Sequence, residues 1–316
     1  MKPLPFILFF LLLSCSQEKV FIHDISSAKK PWTKEINNLK KDLDFSFAII
    51  SDLNGGEREG VFSDAVNKIN LLVPDFVLCV GDLIDGGTEN DSILTYEWES
   101  FDLRASQLHM PFFYLPGNHD ISNPVMRDFW TNKFGKRYYH FIYKNVLFLM
   151  MDSEDFSNDF FQKMYIARDN ALKIINGETE GIYEETEYFK MEQRVYGEFS
   201  NDQINYFTEV LNKYSNIRWI YLLMHKPVWM KENSEFQEIE DVLKDKNYTV
   251  INGHLHSFAH KSINGNSYIT LGTTGGSQKG GDSNAFDHFT LVKIKENIPI
   301  MSHIKLDGIL NFEGKN

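Results

Sequence analysis

Six short apolar runs recur along the chain, and each stops at a polar or glycine-containing cluster. They are "FSFAIISD" (45–52), "DFVLCVGD" (75–82), "MPFFYLPGNHD" (110–120), "NVLFLMMDSE" (145–154), "RWIYLLMHKP" (218–227) and "YTVINGHLH" (248–256). Runs of this length, unbroken by polar alternation, predict buried strands rather than half-solvated ones. Helix-like segments lie between several of them. "EGVFSDAVNKINLL" (59–72) places Val61, Ala65, Ile69 and Leu72 on one face. "SNDQINYFTEVLNKY" (200–214) opens on a serine cap and places Ile204, Phe207 and Leu211 together. Strands alternating with helices predict an α/β fold with sheet covered on both faces, in which ligands collect at the carboxyl ends of strands. The polar clusters all sit at such ends.

The 316 residues carry 32 Lys and Arg against 44 Asp and Glu, a net charge of −12. A nonspecific nucleic-acid binder normally shows a basic face, and no such patch is evident here. A phosphate substrate remains compatible, because bound metal ions reverse the local field. The two cysteines have separate explanations. Cys79 falls inside a strand and is expected to be a small buried hydrophobe. Cys15 ends "MKPLPFILFFLLLSC", an early lysine followed by an apolar stretch shorter than the roughly 20 residues a spanning helix needs. "LLSC" resembles the bacterial lipobox, whose cysteine becomes the lipidated first residue of the mature protein. The expected organisation is a lipoprotein signal peptide at 1–14, a polar tether at 15–42 and one domain over 43–316. Ser16 in the following position implies, by the same resemblance, an exported lipoprotein held at the outer membrane or periplasmic face.

Metal-capable side chains cluster at five strand ends. They are Asp52 with Asn54, Asp82 with Asp85, Asn118 with His119 and Asp120, His225, and His254 with His256. Residues two apart on an extended chain point to one side, so Asp52 and Asn54 form one pair and His254 and His256 another. Carboxylates, imidazoles and amide oxygens suit Mn, Fe or Zn rather than a thiolate-selected metal. The set is too large for one tetrahedral ion and fits two ions sharing a bridging carboxylate.

The order D-x-N, G-D-x-x-D, G-N-H-D, H and G-H-x-H resembles the calcineurin-like metallophosphoesterases, a superfamily that includes purple acid phosphatases, nucleotidases and phosphodiesterases. The resemblance covers about residues 45–295. It implies a four-layer α/β/β/α sandwich of two mixed sheets, and hydrolysis of phosphate mono- or diesters by hydroxide attack at a dinuclear centre. It also implies that Asp82 bridges two divalent or transition-metal ions, that Asp52 and His256 bind the first, and that Asn118, His225 and His254 bind the second. His119 is implied to act on the substrate as a general acid, oriented by Asp120. The expected partner is a phosphorylated small molecule or macromolecule, besides the membrane reached through the lipid anchor.

The chain departs from the family pattern at Asn54, where most members have histidine. Purple acid phosphatases also lack that histidine but place tyrosine three residues after the bridging aspartate, a position held here by Asp85. Asn54 is therefore expected to face the first metal as a weak carbonyl donor, or to hold water or a substrate oxygen. The same departure motivates the alternative of a catalytically degenerate member kept for binding. Asp85 is expected to cap the chain before "GGTEND".

The segment 152–192 carries eleven acids and four bases. It is expected to be a surface insertion, with a substrate-selecting lid as the sharper reading. "TLGTTGGSQKGG" (270–281) lacks the order of a phosphate-binding P-loop and is expected to be a surface loop, with a rim loop as the alternative. His23, His109, His140, His260, His288 and His303 match no motif and are assigned to structure, His260 with a possible supporting role.

Overall fold

The computed structural model describes residues 20–36, 42–278 and 280–306. Cys15 and the apolar stretch before it lie outside the described residues. Two mixed sheets form the centre. In the smaller, β2 (Phe45–Ile50), β3 (Phe76–Cys79) and β4 (Phe112–Phe113) run parallel. Between them lie α1 (Val61–Leu72) and α2 (Asp91–Ala105), and α3 (Pro124–Phe134) follows. The larger sheet contains β1 (Phe21–His23), β5 (Tyr139–Tyr143), β6 (Val146–Met151), β7 (Trp219–Met224) and β8 (Tyr248–Asn252), then the hairpin β9 (Ala259–Ile263) and β10 (Asn266–Thr270). Between β6 and β7 run α4 (Asn158–Ile175), the short α5 (Glu187–Lys190) and α6 (Gln193–Tyr196), and α7 (Asn201–Lys213). The helix α8 (Phe236–Leu243) lies between β7 and β8, and β11 (His288–Lys295) with β12 (Ile298–Lys305) returns to the smaller sheet. The sheet orders are β1-β5-β6-β7-β8-β10-β9 and β12-β11-β2-β3-β4.

Alternation along the strands makes the layers. In β6, Phe148 and Met150 enter the core between the sheets, while Leu147, Leu149 and Met151 pack outward against Ile204 and Phe207 of α7 and Ile239 of α8. Phe47 of β2 meets Phe148 and Tyr221 across the gap, each at 5.1 Å between ring centroids and close to perpendicular. Such edge-to-face pairs add about 0.5–1.5 kcal/mol each beyond their burial. On the far side, Phe62, Ala65, Val66 and Ile69 of α1 are buried against the smaller sheet. The expected sandwich is therefore present. The expected α1 face is rotated: Leu72 is exposed and Phe62 takes its place in the core.

Within the stretch expected to be a tether, the described residues 20–36 are packed onto the domain. β1 pairs antiparallel with β5, Phe21 opposite Tyr143, and Trp32 is buried and bridges Phe113. These anchors are too widely spaced to give a periodic signal and pack against strands distant in sequence, Phe21 against β5 and Trp32 against β4. Among the described residues no helix is long and apolar enough to cross a membrane. Cys79 is buried as expected, and burial pushes its thiol pKa up to about 12.

Candidate metal centre

β2, β3 and β4 are parallel neighbours in one sheet, and β7 and β8 are parallel neighbours in the other. Their carboxyl ends carry every predicted ligand to one edge of the sandwich. The chain turns sharply there. Asp52, Asp82, His254 and His256 all adopt left-handed backbone, with φ of 50°, 58°, 69° and 54°. The loops also approach closely: a Cβ on Gly81 would lie 2.6 Å from Gly117 Cα, and one on Gly117 would strike the Asp82 carboxylate. Glycine is required at both positions.

Two overlapping sets of donors result. Asp52, Asp82 and His256 form one, and Asp82, His225 and His254 the other; within each set the donor atoms lie within 4.8 Å of one another. Asp82 belongs to both and is almost fully buried. His225 Nε2 is 3.1 Å from Asp82 Oδ2 and 3.1 Å from Asn118 Oδ1, and His256 Nε2 is 3.2 Å from Asp52 Oδ1. Two donors each about 2.1 Å from one ion, at right angles, sit about 3 Å apart, so these spacings suit shared coordination.

The protons are arranged accordingly. His225 Nδ1 bonds the Val80 carbonyl (2.8 Å), His256 Nδ1 bonds the Ser277 carbonyl, and His254 Nε2 bonds the Arg194 carbonyl (2.9 Å). A carbonyl only accepts, so each of these nitrogens carries the proton and the opposite nitrogen keeps its lone pair when the ring is neutral. The Asp52 carboxylate accepts from His254 N (3.0 and 3.1 Å), and Asp82 Oδ1 accepts from His119 N (2.8 Å). Burial acts against charge on His225, but the Asp82 carboxylate outweighs it and raises the imidazole to about 9. Burial likewise opposes ionisation of Asp82, and His225 and His119 overcome it, holding the carboxyl below its usual range. His254 is driven well below its ordinary value by burial and by the positive charges of His225 and Lys226. The donor set fits two divalent ions sharing Asp82.

His119 lies beside both sets, half-buried. Its Nδ1 bonds the Asp85 carbonyl (2.7 Å), which leaves Nε2 facing Gly55, where an added Cβ would come within 3.3 Å. The expected orientation of His119 by Asp120 is not what the structure shows. Asp120 is buried and accepts from four backbone amides: Gly117 (2.8 Å), Asp82 (2.8 Å), Leu83 (2.8 Å) and Ile84 (3.2 Å). It is a brace for two ligand loops. Burial and the neighbouring Asp82 charge raise its pKa, against those donors.

Asp85 does more than end a turn. Its carbonyl aims His119, and its side chain accepts from Gly55 N (3.3 Å) and Gly56 N (3.4 Å). Asn54 is buried, and its amide nitrogen donates to the Leu83 carbonyl, tying the first loop to the second. That bond assigns the side chain a structural task that its place in the motif does not disclose.

The Gly-rich segment belongs to the rim rather than to an ordinary surface loop. Gly276 N donates to the Asp52 carbonyl (2.9 Å), and Ser277 supplies the carbonyl that fixes His256. From the acidic segment, α4 carries Tyr165, whose hydroxyl bonds the Gly87 carbonyl (3.4 Å), so the helix docks beside the Asp85 loop. Two of that segment's acids are not solvated: Asp152 pairs with Arg137 and Glu154 with Lys226, both acids fully buried. His260 is exposed on the edge strand β9, bonded to Ser267 Oγ (3.2 Å), and offers the site no support.

A profile of the calcineurin-like phosphoesterases matches residues 45–258, more than half of the chain, and the chain belongs to that family. The family is dimetal-dependent. A probable glycerophosphodiester phosphodiesterase, GpdQ, of Arcobacter nitrofigilis is 24% identical over 155 residues, covering 49% of this chain and 43% of that protein. The chain thus matches under half the length of that curated relative. Among solved structures, a dimetal phosphatase from Danio rerio superposes with a TM-score of 0.59 at 15% identity, covering 83% of this chain and 96% of that one. A purple acid phosphatase from yellow lupin (Lupinus luteus) seeds gives 0.54 at 12% identity, covering 84% and 52%. At these identities the superpositions establish the fold.

Proposed function

We propose that this protein hydrolyses phosphate mono- or diesters at a dinuclear metal centre. One ion would be held by Asp52, Asp82 and His256, and the other by Asp82, Asn118, His225 and His254. The observation that carries the reading is the shared, buried Asp82 between two donor sets whose imidazole protons are all committed to backbone carbonyls. Two bound divalent ions would polarise a phosphoryl oxygen and bring a water to a pKa of about 7.

The chain's own residues supply the rest. His119 keeps its Nδ1 proton on the Asp85 carbonyl, so a proton given to substrate leaves from Nε2. Delivered to the departing ester oxygen, that proton neutralises the alkoxide as the P–O bond breaks, a contribution of about 10²–10⁴ in rate. The diester class is the one named for the Arcobacter relative, and the geometry of His119 serves a monoester equally.

Export with a lipid on Cys15 belongs to the same proposal, and the "LLSC" motif supports it. Elemental analysis of purified protein should find about two transition-metal ions per chain, and chelation should abolish hydrolysis of aryl phosphate mono- and diesters. Full turnover after the metal is stripped would overturn the mechanism. Metabolic labelling with a fatty acid should mark the wild-type chain and not Cys15→Ser.

A further inference from the structure

Behind the second donor set lies a charge pair that the chemistry above does not use. Glu154 is fully buried and Lys226 is 2% exposed. The Lys226 ammonium is 2.7 Å from Glu154 Oε1 and 3.0 Å from Oε2. Lys226 directly follows His225, and its backbone amide is fixed by Ser153 Oγ (2.8 Å). Its ammonium also donates to the Gln193 carbonyl (3.1 Å). The next carbonyl along, that of Arg194, accepts from His254 Nε2.

These two carbonyls belong to α6, a four-residue helix with no side-chain cap and no buried residue of its own. Its four residues are half-buried, none of them fully. Replacing an ion pair buried this deeply by apolar side chains of the same volume is often neutral or stabilising, so the pair is weak evidence for a purely stabilising role. The second contact of its ammonium, to the Gln193 carbonyl, points to another.

We propose that Glu154 and Lys226 are positioning residues for His254. Glu154 fixes the Lys226 ammonium, the ammonium fixes the Gln193–Arg194 backbone, and the Arg194 carbonyl keeps the proton on His254 Nε2, so that Nδ1 presents its lone pair. The segment between β6 and β7 thereby completes a ligand that β8 supplies. The inference rests on the reading that His254 holds an ion, and its test separates the two.

The variant Glu154→Leu/Lys226→Met removes both charges and leaves no orphaned ion. Metal-free protein is titrated with Mn by calorimetry, and urea unfolding is followed in parallel. Wild type should bind two Mn. The double variant should keep or raise its urea midpoint, and it should bind one Mn as wild type does and the other about 10–100-fold more weakly. Adding His254→Ala to the double variant should give no loss beyond that of His254→Ala alone, because both changes act through one ring. Imidazole ¹⁵N spectra of the metal-free proteins give a second readout: a single Nε2–H tautomer for His254 in wild type, and a mixture in the double variant. If Glu154→Leu/Lys226→Met does not fold, Glu154→Gln/Lys226→Met is read in the same way. Two wild-type Mn affinities in the folded variant, or losses that add to those of His254→Ala, overturn the inference. A wild type that binds no Mn overturns the metal-centre reading itself, and the inference with it.

Discussion

Asp120→Asn distinguishes a brace from a catalytic orienter, because the two roles predict opposite losses. The carboxylate accepts four backbone N–H bonds inside a site that excludes water. An asparagine keeps one carbonyl oxygen, able to accept two of them, and turns an NH2 group toward the others. A buried donor left without a partner costs about 1–3 kcal/mol, so two such losses amount to about 2–6 kcal/mol. That is a large share of the roughly 5–15 kcal/mol that holds a domain folded. Urea unfolding of the metal-free protein should show a lower midpoint with an unchanged slope. The folded fraction at low urea should keep the wild-type ratio of rates for good and poor leaving groups, because His119 is aimed by Asp85. An unchanged urea midpoint, joined to a rate loss confined to poor leaving groups, would refute the brace and return Asp120 to His119.

His119→Ala should lower kcat for an alkyl phosphate by about 10²–10⁴ and for an activated phenyl phosphate much less, with metal content near two per chain by elemental analysis. Asn54→Ala removes the donor to the buried Leu83 carbonyl and should cost about 1–3 kcal/mol by urea unfolding, with both metals retained; a lost metal at unchanged stability would instead place the amide oxygen among the ligands. Burial lowers His140 and His288 to about 4 each, so between about pH 6.5 and 4 the unfolded chain takes up protons that the folded chain refuses. The contribution of these two histidines to stability should therefore be full above pH 6.5 and fall as pH drops through that window, and His140→Gln or His288→Gln should flatten that part of the decline in the urea midpoint.

The candidate site residues are legible because each follows an apolar run, and the ends of parallel strands converge on one edge. Asp52, Asp82, Asn118, His119, His225, His254 and His256 need only that rule and the order of the motifs. What escaped detection works through the main chain. The Val80, Ser277 and Arg194 carbonyls choose the nitrogen each histidine presents, and a carbonyl has no signature in a sequence. The motif sets Asp120 beside the His119 imidazole in sequence, whereas its partners are backbone amides. Glu154 and Lys226 did leave a trace: charged residues at the ends of the two strand runs "NVLFLMMDSE" and "RWIYLLMHKP". Residues 20–36 left almost none, since β1 acquires its meaning only opposite β5.

The left-handed backbone at Asp52, Asp82, His254 and His256 ties these observations together. Each such residue costs on the order of 1–3 kcal/mol, and glycine would relieve it at the expense of the ligand. Strain at four candidate ligand positions persists only if the surrounding chain over-determines them. It does so with fixed bonds. Asp120 grips the Asp82 turn from behind. The Asp52 carbonyl accepts from Gly276 N (2.9 Å), and the Asp52 carboxylate accepts from His254 N. Gly253 N donates to the His225 carbonyl (3.0 Å), joining the β7 and β8 ends. Each of these bonds runs from one ligand loop to another or to the rim, and none involves an ion. The donor groups are therefore held in place by the chain itself, with the Nε2 atoms of His225 and His256 turned toward the Asp82 and Asp52 carboxylates. Preorganisation of this kind moves the cost of assembling the centre from binding into folding, and it explains why charged and polar groups that touch no substrate are buried around it.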